Sequence, residues 1–276
     1  MQTVNNYWKI LEKNLRPPKH LRQVKILTYK NFNKIIVQKN LRLIKKIIKD
    51  LYLGDVYIIR NSIPPSFLEN LKNKLLNWSK KEKSKFHKIN KKCPNFWRNI
   101  DKKNSKKYSI NSLRKTYYFF RWNKSPIKVW EKFNKPWGYV KFLGGLKYNS
   151  FIKNTPKNGV IDRIQIVNYP INTGYIAPHQ HNPKHQRVLI SLYMSQIKKH
   201  FSKGGTYFYK KKKKINIENK IKPGDLGLFY ATMIHGVDEV KSVKENNEGR
   251  WWVGLYSPES NITKTRRTTS NPVILN

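Results

Sequence analysis

The sequence predicts a mainly β protein, a sandwich or barrel with helices at its N-terminal end. Three observations lead there. Between about residues 160 and 257, short β-rich runs (161–169, 186–194, 206–209, 226–230 and 251–256) alternate with turns. Upstream, apolar residues recur at steps of three and four, the spacing of helices. The composition, 38% hydrophobic and 13% aromatic over 276 residues, suits a chain that buries a sizeable core despite its charge.

Taken in order, residues 1–32 are basic, broken by Pro17-Pro18, and read as irregular. Val37, Leu41, Ile44, Ile48 and Leu51 then form one apolar stripe of a basic amphipathic helix. Such a helix can lie on a membrane surface, but no large aromatic anchors this stripe, so it is expected to dock on the body of the protein. Gly54 ends the helix, and 55–60 read as a short strand. Pro64-Pro65-Ser66 open a second helix with Phe67, Leu71, Leu75 and Trp78 on one face. Residues 79–115 are polar and lysine-rich, as in loops and short helices. The aromatic density over 117–137 reads as a core sheet or helix face in preference to a base-stacking platform. From about 260, around Arg266-Arg267 and Thr268-Thr269-Ser270, a loose tail is expected.

Lys and Arg number 58 against 15 Asp and Glu, a net charge of +43. That charge invites a nucleic-acid partner, because basic side chains neutralise phosphates. Lysine supplies most of it, however, and arginine, the residue whose planar fork reads phosphates and guanines, is not enriched. Asn and Ile are abundant and alanine occurs only at Ala177 and Ala231. That is the bias of an A/T-rich genome, so a nucleic-acid partner is kept as the lesser alternative. A lone Cys93 excludes a disulfide scaffold and a multi-thiolate zinc site. No run of 18 apolar residues suggests a transmembrane helix, and the N-terminus does not read as a secretory signal, so a soluble cytoplasmic protein is expected.

The chemistry-bearing residues gather downstream. His179, His181, His185 and His200 fall close together, and His235 stands alone after a strand. In extended backbone, residues two apart project to one side, so His179 and His181 can face a common point. Imidazole suits iron, zinc, copper or nickel. His235 follows Pro223-Gly224-Asp225 and an apolar strand, and is the candidate third ligand. Arg250 heads an aromatic and apolar strand, where burial is costly unless it meets an anion. His185 and His200 read as ordinary solvated histidines, and Asp225 as a turn cap acting through backbone amides. Asp162 and Asp238 lack metal-ligand spacing to His179.

Gly224-Asp225, the apolar strand, His235-Gly236-Val237 and the later Arg250 resemble the C-terminal half of the Fe(II)/2-oxoglutarate-dependent oxygenases, closest to the phytanoyl-CoA hydroxylase-like and prolyl-hydroxylase-like branches. The resemblance covers about 160–257. It implies a double-stranded β-helix (jelly roll) core with Fe(II) and 2-oxoglutarate as cofactor and co-substrate. Residue by residue it places His179 as the proximal iron ligand, His235 as the distal one and Arg250 as the 2-oxoglutarate anchor, with Tyr193 and Tyr207 as further co-substrate-binding residues on the pocket wall and Trp252 beside them. The implied reaction is hydroxylase-type oxidation of a small molecule or side chain by O2, coupled to decarboxylation of 2-oxoglutarate to succinate. The chain as a whole is expected to divide into a basic helical extension over 1–54, an α/β supporting and pocket-entrance region over 55–145, the metal-binding double-stranded β-helix core over 146–260 and a loose tail over 261–276.

One position departs from the family. Where its members carry Asp or Glu, this chain has His181. Three outcomes stay open: His181 ligates in a three-histidine face, it points away and water or halide fills the gap, or metal is lost and the chain is inactive. Two rival functions also stay open. Cupin-type metal dioxygenases begin their site with His-x-His and need no arginine anchor, and a decayed jelly roll could serve as a basic nucleic-acid-binding protein.

Overall fold

The computed structural model describes residues 2–125, 127–242, 248–260 and 270–273. Its core is a jelly roll. One sheet runs β1 (Val24–Thr28), β2 (Val56–Arg60), β10 (Leu226–Tyr230), β7 (Val188–Tyr193), β12 (Arg250–Tyr256), β5 (Arg163–Tyr169), β4 (Ser112–Phe120) and β3 (Phe96–Ile100). The second holds β6 (Tyr175–His181), β11 (His235–Asp238), β8 (Gly205–Lys210), β9 (Lys213–Asn216) and β13 (Ser270–Pro272). β4 links them: Lys115 to Phe120 pair with β5, whereas Ser112 and Leu113 pair with β6. The strands expected over 161–169, 186–194, 206–209, 226–230 and 251–256 correspond to β5, β7, β8, β10 and β12.

Helices cover the outer face of the first sheet. α1 (Gln2–Asn14), α2 (Tyr29–Val37), α3 (Leu41–Tyr52), α4 (Pro65–Lys81) and α6 (Val129–Leu143) contribute to one large apolar core with strand residues such as Ile190, Leu192, Val253 and Leu255. α5 is the short turn Lys102–Ser105. The inner faces of the two sheets are not filled in the same way. A smaller apolar cluster, including Val167, Ile176, Val237 and Trp252, occupies only part of that space. Period-two alternation on β5 and β12 thus sends one set of side chains to the helix layer and the other into a cavity.

Three expectations change. Residues 1–32 are not irregular: Val4, Trp8 and Leu11 make one buried helical stripe. Trp8 is fully buried, donates from Nε1 to the Leu143 carbonyl at 2.5 Å and stacks on Tyr230. The single stripe from Val37 to Leu51 is two helices, broken at Gln38 to Asn40, where Lys39 has φ of 51° and Asn40 caps α3 through the Leu43 amide. Val37 and Leu41 are consequently exposed, while Ile44, Ile47, Ile48 and Leu51 dock on the body as expected. The tail at 261–276 falls mostly outside the described residues, but 270–272 form a strand beside His179 to His181. Gly54 does end α3, at φ +93° with the His20 carbonyl crowding the place where a β-carbon would sit, a position only glycine fits. Among the described residues no helix is long and apolar enough to cross a membrane.

Candidate metal centre

His179 and His181 sit two apart on β6 and are buried together. His235 opens β11 directly opposite His179 in the antiparallel register, with a bulge before Val237. The ring centroids are 4.4 Å apart for His179–His235, 5.1 Å for His179–His181 and 5.3 Å for His181–His235. One ring nitrogen from each lies within 4.8 Å of the other two. The carbonyls of Ala177 and Met233 stand 2.9 Å from Nδ1 of His179 and of His235. A carbonyl only accepts, so each Nδ1 carries the proton and each Nε2 keeps its lone pair for a ligand in the cluster.

Burial is the first cause that lowers all three imidazoles, His235 to about 4 and the other two well below 6.5. Mutual repulsion lowers His179 and His181 further, as do nearby Arg114 for both and Arg163 for His181. The rings are therefore neutral at physiological pH, the form that binds metal. Three neutral nitrogens converging in a buried site fit a borderline transition metal such as Fe(II). Among the described residues no carboxylate belongs to the cluster.

Arg250 opens β12, is only 1% exposed and lines the same cavity as the three histidines. Its Nε donates to Glu218 Oε1 at 2.7 Å, and Nη2 donates to Thr206 Oγ1 at 2.5 Å and to Glu218 Oε2 at 3.3 Å. Burial opposes the charge, but Glu218 outweighs it and the pKa of Arg250 is raised. Nη1 is buried with no hydrogen-bond partner among the described residues, as is the hydroxyl of neighbouring Tyr169.

Tyr193 and Trp252 line the cavity as expected. Gly227 makes room for Tyr193, whose hydroxyl lies 2.5 Å from where a β-carbon would be. Tyr207 is a correction: it packs over Gly236 with Tyr209 and Ile234, and Thr206 takes the place at the wall, because the strand alternation turns one side chain in and the next out. His200 is another. It is 6% exposed, with Nδ1 accepting from the Gln196 amide at 3.0 Å, and is not solvated. His185 meets Glu259 at 2.7 Å away from the cluster. Asp225 does cap its turn, accepting from the amides of Lys222 and Asn61, and it also pairs with Arg60.

Sequence reasoning missed Glu218, which lies in a short 3₁₀ turn within a lysine-rich stretch lacking any periodic signal. It also missed Arg98, Arg114 and Arg163, all on the cavity wall. Their signal was legible: Arg114-x-Thr116-x-Tyr118 and Arg163-x-Gln165 share a strand face at period two.

Among solved structures the chain is similar to a full-length Neurospora crassa protein crystallised in complex with alpha-KG and thymine, at 10% identity and a TM-score of 0.53 over 85% of each chain. It is also similar to a Pseudomonas putida prolyl-4-hydroxylase, at 11% identity and 0.48, covering 78% of this chain and 97% of that one. A Trichoplax adhaerens prolyl hydroxylase, solved with a hypoxia inducible factor peptide fragment, gives 16% and 0.48 over 83% and 94%. No family model and no curated protein matches. What the chain shares with the Neurospora crassa protein is the fold, a mainly β jelly roll with helices at the N-terminal end. At these identities the likeness concerns architecture, and the activity has to be argued from the site.

Proposed function

We propose that the chain is an Fe(II)- and 2-oxoglutarate-dependent oxygenase that oxidises a small molecule or a side chain. One observation carries the reading: three converging imidazoles, two of them buried and His235 half-buried, and a buried arginine with one free edge open into a single cavity of a jelly roll. His179, His181 and His235 would hold Fe(II), each through one ring nitrogen. Iron held there together with 2-oxoglutarate would supply the activation of O2, which the side chains alone cannot provide.

The protein's own residues position and exclude. Ala177 and Met233 fix the tautomers and ring directions of His179 and His235. Glu218 and Thr206 hold the Arg250 guanidinium so that Nη1 faces an incoming carboxylate, the far end of 2-oxoglutarate. Tyr193 is the second co-substrate contact, and Trp252 and Phe229 shield the centre from water. Without a carboxylate ligand, the site holds Fe(II) less tightly than a charged one would. The convergence of His181 with the other two supports three-histidine ligation over the alternative in which it points away.

A cupin-type dioxygenase is the second reading, favoured by the His-x-His pair, the missing carboxylate and the fact that Arg250 already has Glu218. Purified chain supplied with Fe(II), 2-oxoglutarate and O2 separates them. The oxygenase reading expects succinate to form in an Fe(II)-dependent way and to vanish in His179→Ala and His235→Ala. Oxygen uptake that needs iron but not 2-oxoglutarate would select the cupin reading. Absence of iron binding, with salt-sensitive nucleic-acid affinity, would select the non-catalytic one.

A further inference from the structure

The cavity that holds the histidines has a second basic wall. Arg98 on β3, Arg114 on β4 and Arg163 on β5 line it and gather around Tyr118. Arg98 donates to the Tyr118 hydroxyl from Nε at 3.0 Å and from Nη2 at 2.5 Å. The Arg163 guanidinium lies 5.3 Å from the Tyr118 ring centre and 5.8 Å from that of Tyr256, the ring stacked beside His181. The wall is therefore next to the metal cluster, not remote from it. Arg163 lies at the other end of β5 and β12 from Arg250, since Arg250 pairs with Tyr169 and Tyr256 with Arg163, whereas Arg114, next to the Lys115–Asn168 pair, starts from the end nearer Arg250.

None of the three arginines makes an ion pair with Asp or Glu among the described residues, in contrast to Arg250 and Arg187, which pair with Glu218 and Glu12, and Arg22, which pairs with Asp50 and Asp55. The acid beside Arg163 in sequence, Asp162, is committed elsewhere, to Arg121, Lys141 and Ser257. Arg163 spends one nitrogen on Gln165 Oε1 at 3.0 Å. Its Nε, and that of Arg114, are buried with no hydrogen-bond partner among the described residues. Burying like charges with donors unused is costly, and a chain that does so at a cavity wall is arranged to receive an anion. Tyr118 reports the same field: burial would raise its phenol, but Arg98, Arg114 and Arg163 outweigh burial and lower it below the usual 10.0.

We propose that Arg98, Arg114 and Arg163 form the substrate's anchoring site, and that the substrate carries an oxyanion, a phosphate or a carboxylate. Guanidinium forks match both groups through parallel charged hydrogen bonds. In naming the ligand as substrate, the assignment rests on the oxygenase reading. The anion site itself does not, because it contains no metal ligand.

The test is a calorimetric titration of the full chain at fixed ionic strength, without added metal, using inorganic phosphate and acetate as probes. Each titration is repeated with saturating 2-oxoglutarate. Phosphate binding alone points to a phosphate ester as substrate, and comparable acetate binding to a carboxylate. Either supports the site, provided that Arg114→Gln/Arg163→Gln weakens the bound probe about tenfold or more, the loss of charge-assisted hydrogen bonds. A Lys211→Gln/Lys212→Gln control, which removes two exposed charges, should leave it unchanged. Should the double arginine variant fail to fold, Arg98→Gln, at a half-buried position, gives the same readout. Equal weakening in the lysine control, no weakening in the arginine variants, or one-for-one displacement of the probe by 2-oxoglutarate would overturn the proposal. Failure of 2-oxoglutarate to bind while phosphate still does would count against the oxygenase reading only.

Discussion

Because Glu218 occupies Nε and part of Nη2 of Arg250, the guanidinium offers a ligand chiefly its Nη1 edge. An anchor of this kind is pre-oriented but narrower than a free fork. Replacing Arg250 alone would also strand Glu218, itself 1% exposed, at a cost of about 3–5 kcal/mol for a buried charge without its partner. The informative variant is therefore Arg250→Ala/Glu218→Gln. It is expected to lose 2-oxoglutarate affinity at least tenfold while binding Fe(II) like the parent chain, both measured by calorimetry; undiminished 2-oxoglutarate affinity would refute the anchoring role. At this scale the sequence was readable where spacing carries chemistry. His179-x-His181 on an extended run, His235 after a strand and Arg250 at a strand head were all recognisable. Glu218 was not, because nothing in a polar, lysine-rich turn marks one glutamate as the residue that folds back beneath a strand 32 positions later.

The elements divide according to whether their signal is local. β5, β7, β8, β10 and β12 announce themselves through short β-rich runs between turns. α1, β1 and α2 did not, since their apolar positions are sparse among basic ones and Pro17-Pro18 suggested irregular chain. What orders them is tertiary: Trp8 enters the core, and Arg22, Lys25 and Lys46 converge on Asp50 and Asp55 at the junction of β1, α3 and β2. Burial alone would raise the Asp50 carboxyl, but hydrogen bonds from Lys25, Tyr57 and Lys46 prevail and lower it to about 2. A carboxyl more acidic folded than unfolded contributes fully above its ordinary 3.8, and that contribution fades as pH falls toward about 2. Asp50→Asn should accordingly be less stable than the parent in urea at neutral pH, with the gap narrowing below pH 3.8. A gap that stays constant with pH would show that the charge on Asp50 contributes nothing to holding these elements.

Across the whole molecule, two layers serve two ends. Helices on the first sheet supply the main apolar core, which leaves the space between the sheets available for polar groups: three imidazoles, Arg250 at the head of β12, and the wall of Arg98, Arg114 and Arg163 around Tyr118. The jelly roll was foreseeable from a chain of short strands and the ordered His, His and Arg positions. The division of the interior was not, because it depends on which strand faces meet, and only pairing registers decide that. The net charge of +43 adds a long-range potential favourable to any anionic ligand, but it does not choose one. The proposed oxygenase activity depends on the three histidines acting as one metal centre. The most direct measurement is an anaerobic Fe(II) titration of the purified chain beside His179→Ala, His181→Ala and His235→Ala. One Fe(II) per chain, with affinity falling sharply in each variant, is the expected result. Binding that survives all three substitutions, or no binding by the parent chain, would contradict it.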